Sequence, residues 1–548
     1  MATYNFADLF ELIVDIVPDR PALIVGDTRR TYAELDARAN ALGHHLLAAG
    51  VGPGDHVGIY ATNGKEWVEG MLAAYKIRAV PVNVNYRYVE DELVYLFDNA
   101  DIVALIALQE YGPRLMSVVP KVDALRHVII SADGSGASIE GFESVDYEDA
   151  IAGASPAREF EPRSNDDIYL LYTGGTTGWP KGVMWRQEDV FFALCGGIDA
   201  FTGARFTRPE DLSDKARDAA ALGSNGLKMF ALPPLMHGAG QFASLRALTS
   251  GDTAVLIPKF DAEAVWRVVD REGVNVISCT GDAMARPLAD ALERLHDELD
   301  VSSVLSFGSS AAIWSPSVKD QIARLLPNAV LTDSIGATES GMNGIRVVQS
   351  GDEVKGGGPN TTPSPGTTVL DDDTLEPLEP GSGKIGKLAR SGDVPLGYYK
   401  DPEKTAATFP TIDGVRYSIP GDYATIEADG SITLLGRGSQ SINTGGEKVF
   451  PEEVEGALKR HPKVFDALVV GVPDERWGER VTALVQPREG TEPTLDELVE
   501  HCRAYVAGYK VPRQLVLVAQ MPRHASGKPD YPTAKGTVLD ATVSRPRS

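Results

Sequence analysis

Apolar residues recur along the first part of the chain with two spacings, one typical of helices and one typical of strands. Thr31 and Glu34 form a capping box, and the helix that follows carries apolar residues at alternating steps of three and four until Gly50. The runs HVGIYA (56–61) and AVPVNV (79–84) flank a helical stretch, KEWVEGMLAAYKI. Repetition of this order predicts an α/β class with layered, largely parallel sheets.

The pattern changes in the last third of the chain. The sequence GGGPNTTPSPG (356–366) has the composition of a loop, and short strands separated by Gly and Asp follow it. They predict a β-rich subdomain over about 367–436, after which a new alternation of helix and strand begins. We therefore predict a large N-terminal domain over 1–436 and a small α+β C-terminal domain over 437–548.

Composition and charge narrow the class of protein. The 548 residues are 43% apolar and 24% charged, as in soluble globular proteins, and the formal net charge is −25. An acidic chain repels phosphate backbones, so we expect no nucleic acid partner. Three widely spaced cysteines offer neither a zinc site nor a disulfide framework, which favours the cytoplasm. No targeting signal or apolar run of transmembrane length is evident, so we expect no transmembrane segment.

The segment YLLYTGGTTGWPKGVMWR (169–186) carries the strongest candidate chemistry. Glycines let backbone N–H groups converge on an anion, three threonines add hydroxyl donors, and Lys181 adds a positive charge. A Walker A loop is excluded, because Pro180 and Gly182 flank the lysine where that motif needs Gly and then Ser or Thr. From the residues alone, a phosphate cradle and a plain Gly/Thr turn explain the segment equally well.

This segment resembles the signature YTSGTTGxPKG of the acyl-adenylate-forming superfamily, which includes acyl-CoA synthetases, luciferases and the adenylation domains of peptide synthetases. The resemblance implies that the loop holds the β- and γ-phosphates of ATP. Gly174 stands where the family usually has Ser, which removes one hydroxyl. The residues assigned to the phosphates are Thr173, Gly174, Gly175, Thr176, Thr177, Gly178 and Lys181.

Two further segments are similar to family motifs in the same order. PPLMHGAG (233–240) is similar to the segment whose histidine, here His237, closes over the carboxylate and acyl pocket. GSSAA (308–312) is similar to the stretch that lies along the adenine, which implies contacts from Ser310 and Ala311. Without the resemblance, a lone histidine is more often structural than functional.

DSIGATESG (333–341) resembles the family motif YGxTE. The resemblance implies that Thr338 contacts the α-phosphate and that Glu339 holds Mg²⁺, an ion that suits one carboxylate plus phosphate oxygens. Ile335 replaces the usual tyrosine, so that the adenine would rest on an aliphatic side chain. The other residues assigned to the nucleotide here are Asp333, Ser334 and Gly336.

The last third contains further family elements. The resemblance implies that Asp422, in SIPGDY, accepts hydrogen bonds from both ribose hydroxyls and that Arg437 also reaches the ribose. Ser439 falls on the hinge position, where the family usually has Asp or Lys. Gly445 and Gly446 resemble the loop that lines the pantetheine tunnel of coenzyme A.

MPRHASGKPDY (521–531) resembles the ending PKTxxGK and places Lys528 on the catalytic lysine of the family. Lysines near a C-terminus are usually solvated surface charges, but the order and spacing of all the motifs favour the functional interpretation. The motifs are most similar to those of bacterial fatty acid and steroid side-chain acyl-CoA ligases. The resemblance thus assigns 1–436 as the AMP-binding domain and 437–548 as its C-terminal lid domain.

The implied function is an ATP-dependent acyl-CoA synthetase that activates a hydrophobic carboxylic acid through an acyl-adenylate and transfers it to coenzyme A, with Mg²⁺. A carrier-protein acyl ligase and a catalytically lapsed nucleotide-binding homologue are the alternatives. The sequence does not distinguish fatty acids from steroid side-chain acids as substrates. It also does not determine the oligomeric state, for which a homodimer is one alternative. We expect small residues around the acyl pocket to leave volume for the tail, namely Gly238, Ala239, Gly240 and Gly281.

Overall fold

A computed structural model describes residues 2–174, 179–198, 203–310, 312, 314–348, 359–444, 447–474, 477–524 and 527–543. The chain divides into two compact units, each built from two segments. The first unit comprises Met1–Ser278 and Asp393–Pro410, and the second comprises Cys279–Gly392 and Thr411–Ser548. Among the described residues no helix is both long and apolar enough to cross a membrane.

The helices are α1 (Phe6–Val14), α2 (Tyr32–Ala48), α3 (Lys65–Lys76), α4 (Glu90–Asn99), α5 (Gly112–Val118), α6 (Tyr147–Ala152), α7 (Gln187–Leu194), α8 (Glu210–Ala221), α9 (Gly238–Ser250), α10 (Ala262–Glu272), α11 (Gly281–Leu295), α12 (Pro316–Leu325), α13 (Pro402–Thr408), α14 (Pro451–Leu458), α15 (Leu495–Cys502) and α16 (Tyr531–Val543). The capping box predicted at Thr31 is present, with the Glu34 N–H donating to the threonine hydroxyl.

The strands are β1 (Pro21–Val25), β2 (Thr28–Thr31), β3 (His56–Tyr60), β4 (Val80–Asn83), β5 (Ile102–Leu108), β6 (His127–Ser131), β7 (Val145–Asp146), β8 (Ile168–Thr173), β9 (Lys181–Arg186), β10 (Lys228–Ala231), β11 (Thr253–Leu256), β12 (Val276–Cys279), β13 (Ser306–Ser309), β14 (Val330–Ala337), β15 (Gly341–Val348), β16 (Asn360–Pro363), β17 (Thr367–Leu370), β18 (Gly386–Ser391), β19 (Gly397–Tyr398), β20 (Thr411–Ile412), β21 (Val415–Ser418), β22 (Asp422–Ile426), β23 (Ile432–Arg437), β24 (Ile442–Thr444), β25 (Glu447–Val449), β26 (Val464–Asp474), β27 (Gly478–Pro487) and β28 (Gln514–Leu517).

The first unit contains a fully parallel sheet in the order β4–β3–β5–β6–β7. Alternate residues of β5 enter two different hydrophobic clusters, because successive side chains of a strand point to opposite faces. Helices cover both faces, as a parallel sheet requires. The same unit holds the order β2–β1–β11–β10–β12, parallel except for β2, and an antiparallel sheet β19–β9–β8.

The second unit combines β-rich and mixed parts. Strands β14, β15 and β16 run antiparallel and continue into the short strands β23, β22, β18, β21 and β20. Most of the short strands lie within 367–436, and the bounds of a separate β-rich subdomain there stay a prediction. Farther along the chain, β25–β24–β27–β26 form a sheet with β28 beside β27. Helices α14 and α15 pack on one of its faces and α16 on the other.

Candidate active site

The turn between β14 and β15 carries Thr338 and Glu339. The Ser340 N–H donates to the Ala337 carbonyl (3.1 Å), which closes the turn. From neighbouring strands, Arg390 donates to the Ser340 carbonyl (3.2 Å), and the Ser418 hydroxyl donates to the carbonyl of Glu339. Both site residues are half-buried and are held on a fixed backbone.

Asp422 and Arg437 are directly opposite each other on the antiparallel strands β22 and β23. Cross-strand partners have neighbouring Cβ atoms, so the hairpin alone brings the two side chains together. The Arg437 Nε donates to the Asp422 Oδ1 (3.2 Å). Both side chains keep part of their surface exposed and thus remain accessible to a ligand.

Lys528 lies among charged groups from three other segments. Its side chain reaches solvent. The surrounding protein, and then the Arg437 guanidinium, lower the pKa of Lys528, whereas the carboxylates of Glu339 and Asp422 act in the opposite direction. Electrostatic effects of this kind require short separations. These electrostatic interactions indicate that Lys528 lies near three other residues that the sequence assigns to the same site.

The residues assigned to the adenine have different surroundings. The Ser334 hydroxyl donates to the Ser309 carbonyl (3.2 Å), next to Ser310. Asp333 is buried in an ion pair with Lys319, and burial raises the pKa of this carboxyl. Ala311 lies outside the described residues.

Ile335 and Gly336 serve the packing of β14. Ile335 is only 4% exposed and packs in a cluster with Val369, Leu388 and Ala424, which favours a structural role. A Cβ on Gly336 would lie 2.6 Å from the Gly341 carbonyl oxygen. Only glycine fits this close approach of two strands.

The phosphate-loop segment begins and ends on the hairpin β8–β9 of the first unit. Thr173 and Lys181 are cross-strand partners at its end. Trp179 stacks on Tyr95 with 4.6 Å between ring centroids, and Lys181 forms an ion pair with Asp401. Four predicted phosphate ligands, Gly175, Thr176, Thr177 and Gly178, lie outside the described residues.

His237 is the N-cap of α9, and Asn83, which the sequence motifs do not include, connects the residue before it to the end of β8. The Asn83 amide donates to the carbonyls of Tyr172 (2.8 Å) and Met236 (2.7 Å), and its oxygen accepts the Tyr172 N–H (2.7 Å). Asn83 ends the parallel strand β4, where ligand sites of α/β sheets gather. Its position after a buried strand was the available signal.

Two of the small residues expected to leave volume for an acyl tail do not do so. A Cβ on Gly238 would lie 2.7 Å from the Phe242 ring and 2.9 Å from Leu171. A Cβ on Gly240 would lie 2.5 Å from the Pro233 carbonyl oxygen. The protein itself occupies the space beside these glycines, so they serve close packing of the segment before α9, contrary to the expectation.

The expected hinge and pantetheine residues are described only in part. Ser439 belongs to a short 3₁₀ turn over Gly438–Gln440, whose first residue donates its N–H to the Gly421 carbonyl (3.0 Å). Gly445 and Gly446 lie outside the described residues. Their roles therefore stay predictions.

Glu339 offers one carboxylate at this turn, which is compatible with its predicted role as the protein ligand of Mg²⁺. Within the described ranges, no group of three or more His, Cys, Asp or Glu side chains is placed to hold a metal ion. Mg²⁺ commonly binds one or two carboxylates and completes its shell with water and substrate phosphates. The donor set at this turn suits that mode of binding.

Comparison with known proteins shows the family of the chain. The AMP-binding enzyme family matches residues 10–399, and the AMP-binding enzyme C-terminal domain matches residues 453–528. The chain is 52% identical to a 3-oxocholest-4-en-26-oate–CoA ligase from Rhodococcus rhodochrous, over 99% of this chain and 96% of that protein. It is also 52% identical to a medium/long-chain-fatty-acid–CoA/3-oxocholest-4-en-26-oate–CoA ligase from Mycobacterium tuberculosis, over 99% of this chain and 97% of that protein.

Solved structures share the fold at lower identity. The anthranilate CoA ligase AuaEII in complex with anthranoyl-AMP is 24% identical and has a TM-score of 0.84 over 99% of each chain. ATP-bound MatB from Rhodopseudomonas palustris is 24% identical, with a TM-score of 0.79 over 98% of this chain and 99% of its own. These likenesses confirm the predicted α/β fold class with a small C-terminal domain.

Proposed function

Because the chain belongs to the AMP-binding enzyme family, we propose that it is an ATP-dependent acyl-CoA synthetase that activates a hydrophobic carboxylic acid. The CoA ligases that are 52% identical over nearly the whole chain support this activity. The observation that carries the proposal is the electrostatic interaction of Lys528 with Glu339, Asp422 and Arg437. A catalytic lysine, a magnesium ligand and two ribose-binding residues would then act at one nucleotide.

The first half-reaction makes the carboxylate electrophilic. A carboxylate oxygen attacks the α-phosphorus of ATP, the bond to the bridging oxygen breaks, and pyrophosphate leaves with that electron pair. Lys528 and Thr338 would stabilise the charge that gathers on the α-phosphate, which is mainly electrostatic and positional catalysis. Glu339 would hold Mg²⁺, which when bound neutralises charge on phosphate oxygens.

The second half-reaction transfers the acyl group. The thiol of coenzyme A loses its proton and attacks the acyl carbon, and AMP leaves. We infer from the family resemblance that the segment 437–548 turns about Ser439 and brings Gly445 and Gly446 to the pantetheine arm. Lys528 then serves only the first half-reaction.

We further infer the substrate class and the compartment. The two bacterial relatives are named for a steroid acid or for steroid and medium/long-chain fatty acids, so a hydrophobic acid of one of these kinds is the proposed substrate. The three cysteines are free and buried, which supports a cytoplasmic enzyme, because thiols remain reduced there.

The test measures AMP release from ATP with a panel of carboxylic acids. Straight fatty acids of medium and long chain and sterol side-chain acids are each supplied with coenzyme A or with a phosphopantetheinylated carrier protein. We expect AMP to form only when a hydrophobic acid and coenzyme A are both present. Turnover with the carrier alone would favour the carrier-ligase alternative, and absence of AMP with every acid would contradict the proposal.

A further inference from the structure

Five charged side chains lie buried together in the second unit. They belong to α11, to the end of α14, to β26 and to the loop that carries the catalytic lysine. Charged side chains are rarely buried unless they are paired. Four of the residues are at most 6% exposed, and the fifth, Arg523, has a side chain that is 14% exposed; the members are Asp282, Arg286, Lys459, Asp466 and Arg523.

Arg523 ties the catalytic loop to the sheet. Its Nε and Nη2 donate to the two carboxylate oxygens of Asp466 on β26 (2.7 and 2.8 Å). Its Nη1 donates to the carbonyl of Gly527 (2.8 Å), the residue directly before Lys528. A bidentate guanidinium–carboxylate pair fixes geometry as well as charge. Arg523 therefore connects the Gly527 carbonyl, one residue before Lys528, to Asp466 on β26.

The loop also lies against the beginning of α11. Gly527 has a φ of +78°, and a Cβ there would lie 2.9 Å from the Ala283 Cβ and 3.2 Å from the Thr280 hydroxyl. The left-handed backbone and the close approach both favour glycine. The position of Lys528 thus depends on how α11 meets the loop.

Asp282, on α11, lies close to other members of this group of five charged residues. Its Oδ1 accepts the Ser315 N–H (2.8 Å), whereas its Oδ2 is buried without a hydrogen-bond partner among the described residues. Oδ2 lies 3.9 Å from the Lys459 Nζ and 4.0 Å from Arg286 Nη2. Lys459 also lies 3.4 Å from Asp466 Oδ1. Close pairs of opposite charge therefore connect Asp282 on α11, through Lys459, to the Asp466–Arg523 pair.

We propose that Asp282 and Arg523 are positioning residues, which set the place of Lys528 over the nucleotide through this charged assembly. The proposal rests on the function proposed above, in which Lys528 serves adenylation alone. It follows that loss of either residue slows the step that uses Lys528 and spares the step that does not. Misplacement of a catalytic group by about 1 Å costs on the order of a hundredfold in rate.

The test compares Asp282→Asn with wild type in the two half-reactions, using the acid that wild type converts fastest and its purified acyl-adenylate. Asparagine keeps the oxygen that accepts the Ser315 N–H but removes the charge. We expect acid-dependent exchange of pyrophosphate into ATP to fall at least tenfold in kcat with little change in KM for ATP. Formation of acyl-CoA from the adenylate should stay within twofold of wild type.

Arg523→Lys is the second variant, because lysine keeps the charge but loses the bidentate geometry and the bond to Gly527. We expect the same selective loss. Glu500→Gln is the matched control, since it removes one charge from an exposed pair with Arg503, and it should change neither half-reaction. Equal loss of both half-reactions in the first two variants, or no loss in either, would overturn the proposal.

A double variant separates positioning from an independent effect. If Asp282 acts through Lys528, then Asp282→Asn should add no further loss of exchange to Lys528→Ala, because interacting residues are non-additive. A full additional tenfold loss would show that Asp282 acts independently and would refute the proposal. Failure of the proposed function itself is recognised separately, because Lys528→Ala alone would then retain exchange.

Discussion

The amine of Lys528 lies near one guanidinium and two carboxylates, and these neighbours act on it in opposite directions. Crowding by protein and the Arg437 charge disfavour the protonated form, while Glu339 and Asp422 favour it. A lysine that must stabilise phosphate charge has to remain protonated at working pH. Removing one neighbour at a time should therefore move its titration in a predictable direction.

We predict that Lys528 reacts with an amine-specific reagent at a lower pH than a model lysine amide, because its pKa is lowered and the neutral amine appears earlier. Peptide mass spectrometry of protein labelled across a pH series measures this. Asp422→Asn should shift the titration farther down, and Arg437→Gln should shift it up. Shifts in the same direction for both variants would contradict the assigned neighbourhood.

Helix α9 shows how one element both packs and supports a site. It begins directly after His237, and Gly240 in its first turn lies against the carbonyls of Pro233 and Pro234. Alanine at a helix position gains about 1 kcal/mol over glycine in propensity. Forcing a methyl group against backbone costs typically about 1–3 kcal/mol or more, so the clash should prevail.

We predict that Gly240→Ala lowers the free energy of unfolding by up to about 2 kcal/mol. The measurement is chemical denaturation, with Gly174→Ala as the control. A Cβ on Gly174 would meet none of the described residues within 4 Å, so this variant should remain near wild type. A Gly240→Ala variant more stable than wild type would show that the backbone of the segment before α9 shifts at little cost in free energy.

At the scale of the whole molecule, the sequence predicted the α/β class, because periodicity in 31–84 directly reflects which faces are buried. It also predicted that Asp422 and Arg437 act together, and the hairpin pairing places them opposite each other. It did not predict that Ile335 is buried in a core, since a motif gives residue identity but not the face of a strand.

The residues that support the site were beyond sequence reasoning for a different reason. Asp282 and Arg523 contact residues that are far away along the chain or on other elements. In the sequence alone, an aspartate at the start of a helix or an arginine in a polar loop is typical of a solvated surface. Only the tertiary arrangement distinguishes them from surface charges.

The most direct test of the account is Lys528→Ala assayed separately in the two half-reactions. We expect acid-dependent exchange of pyrophosphate into ATP to fall by several orders of magnitude, because the charge on the α-phosphate loses its cation. Purified acyl-adenylate should still be converted to acyl-CoA at close to the wild-type rate. Equal loss of both reactions, or exchange that persists without this amine, would contradict the central claim.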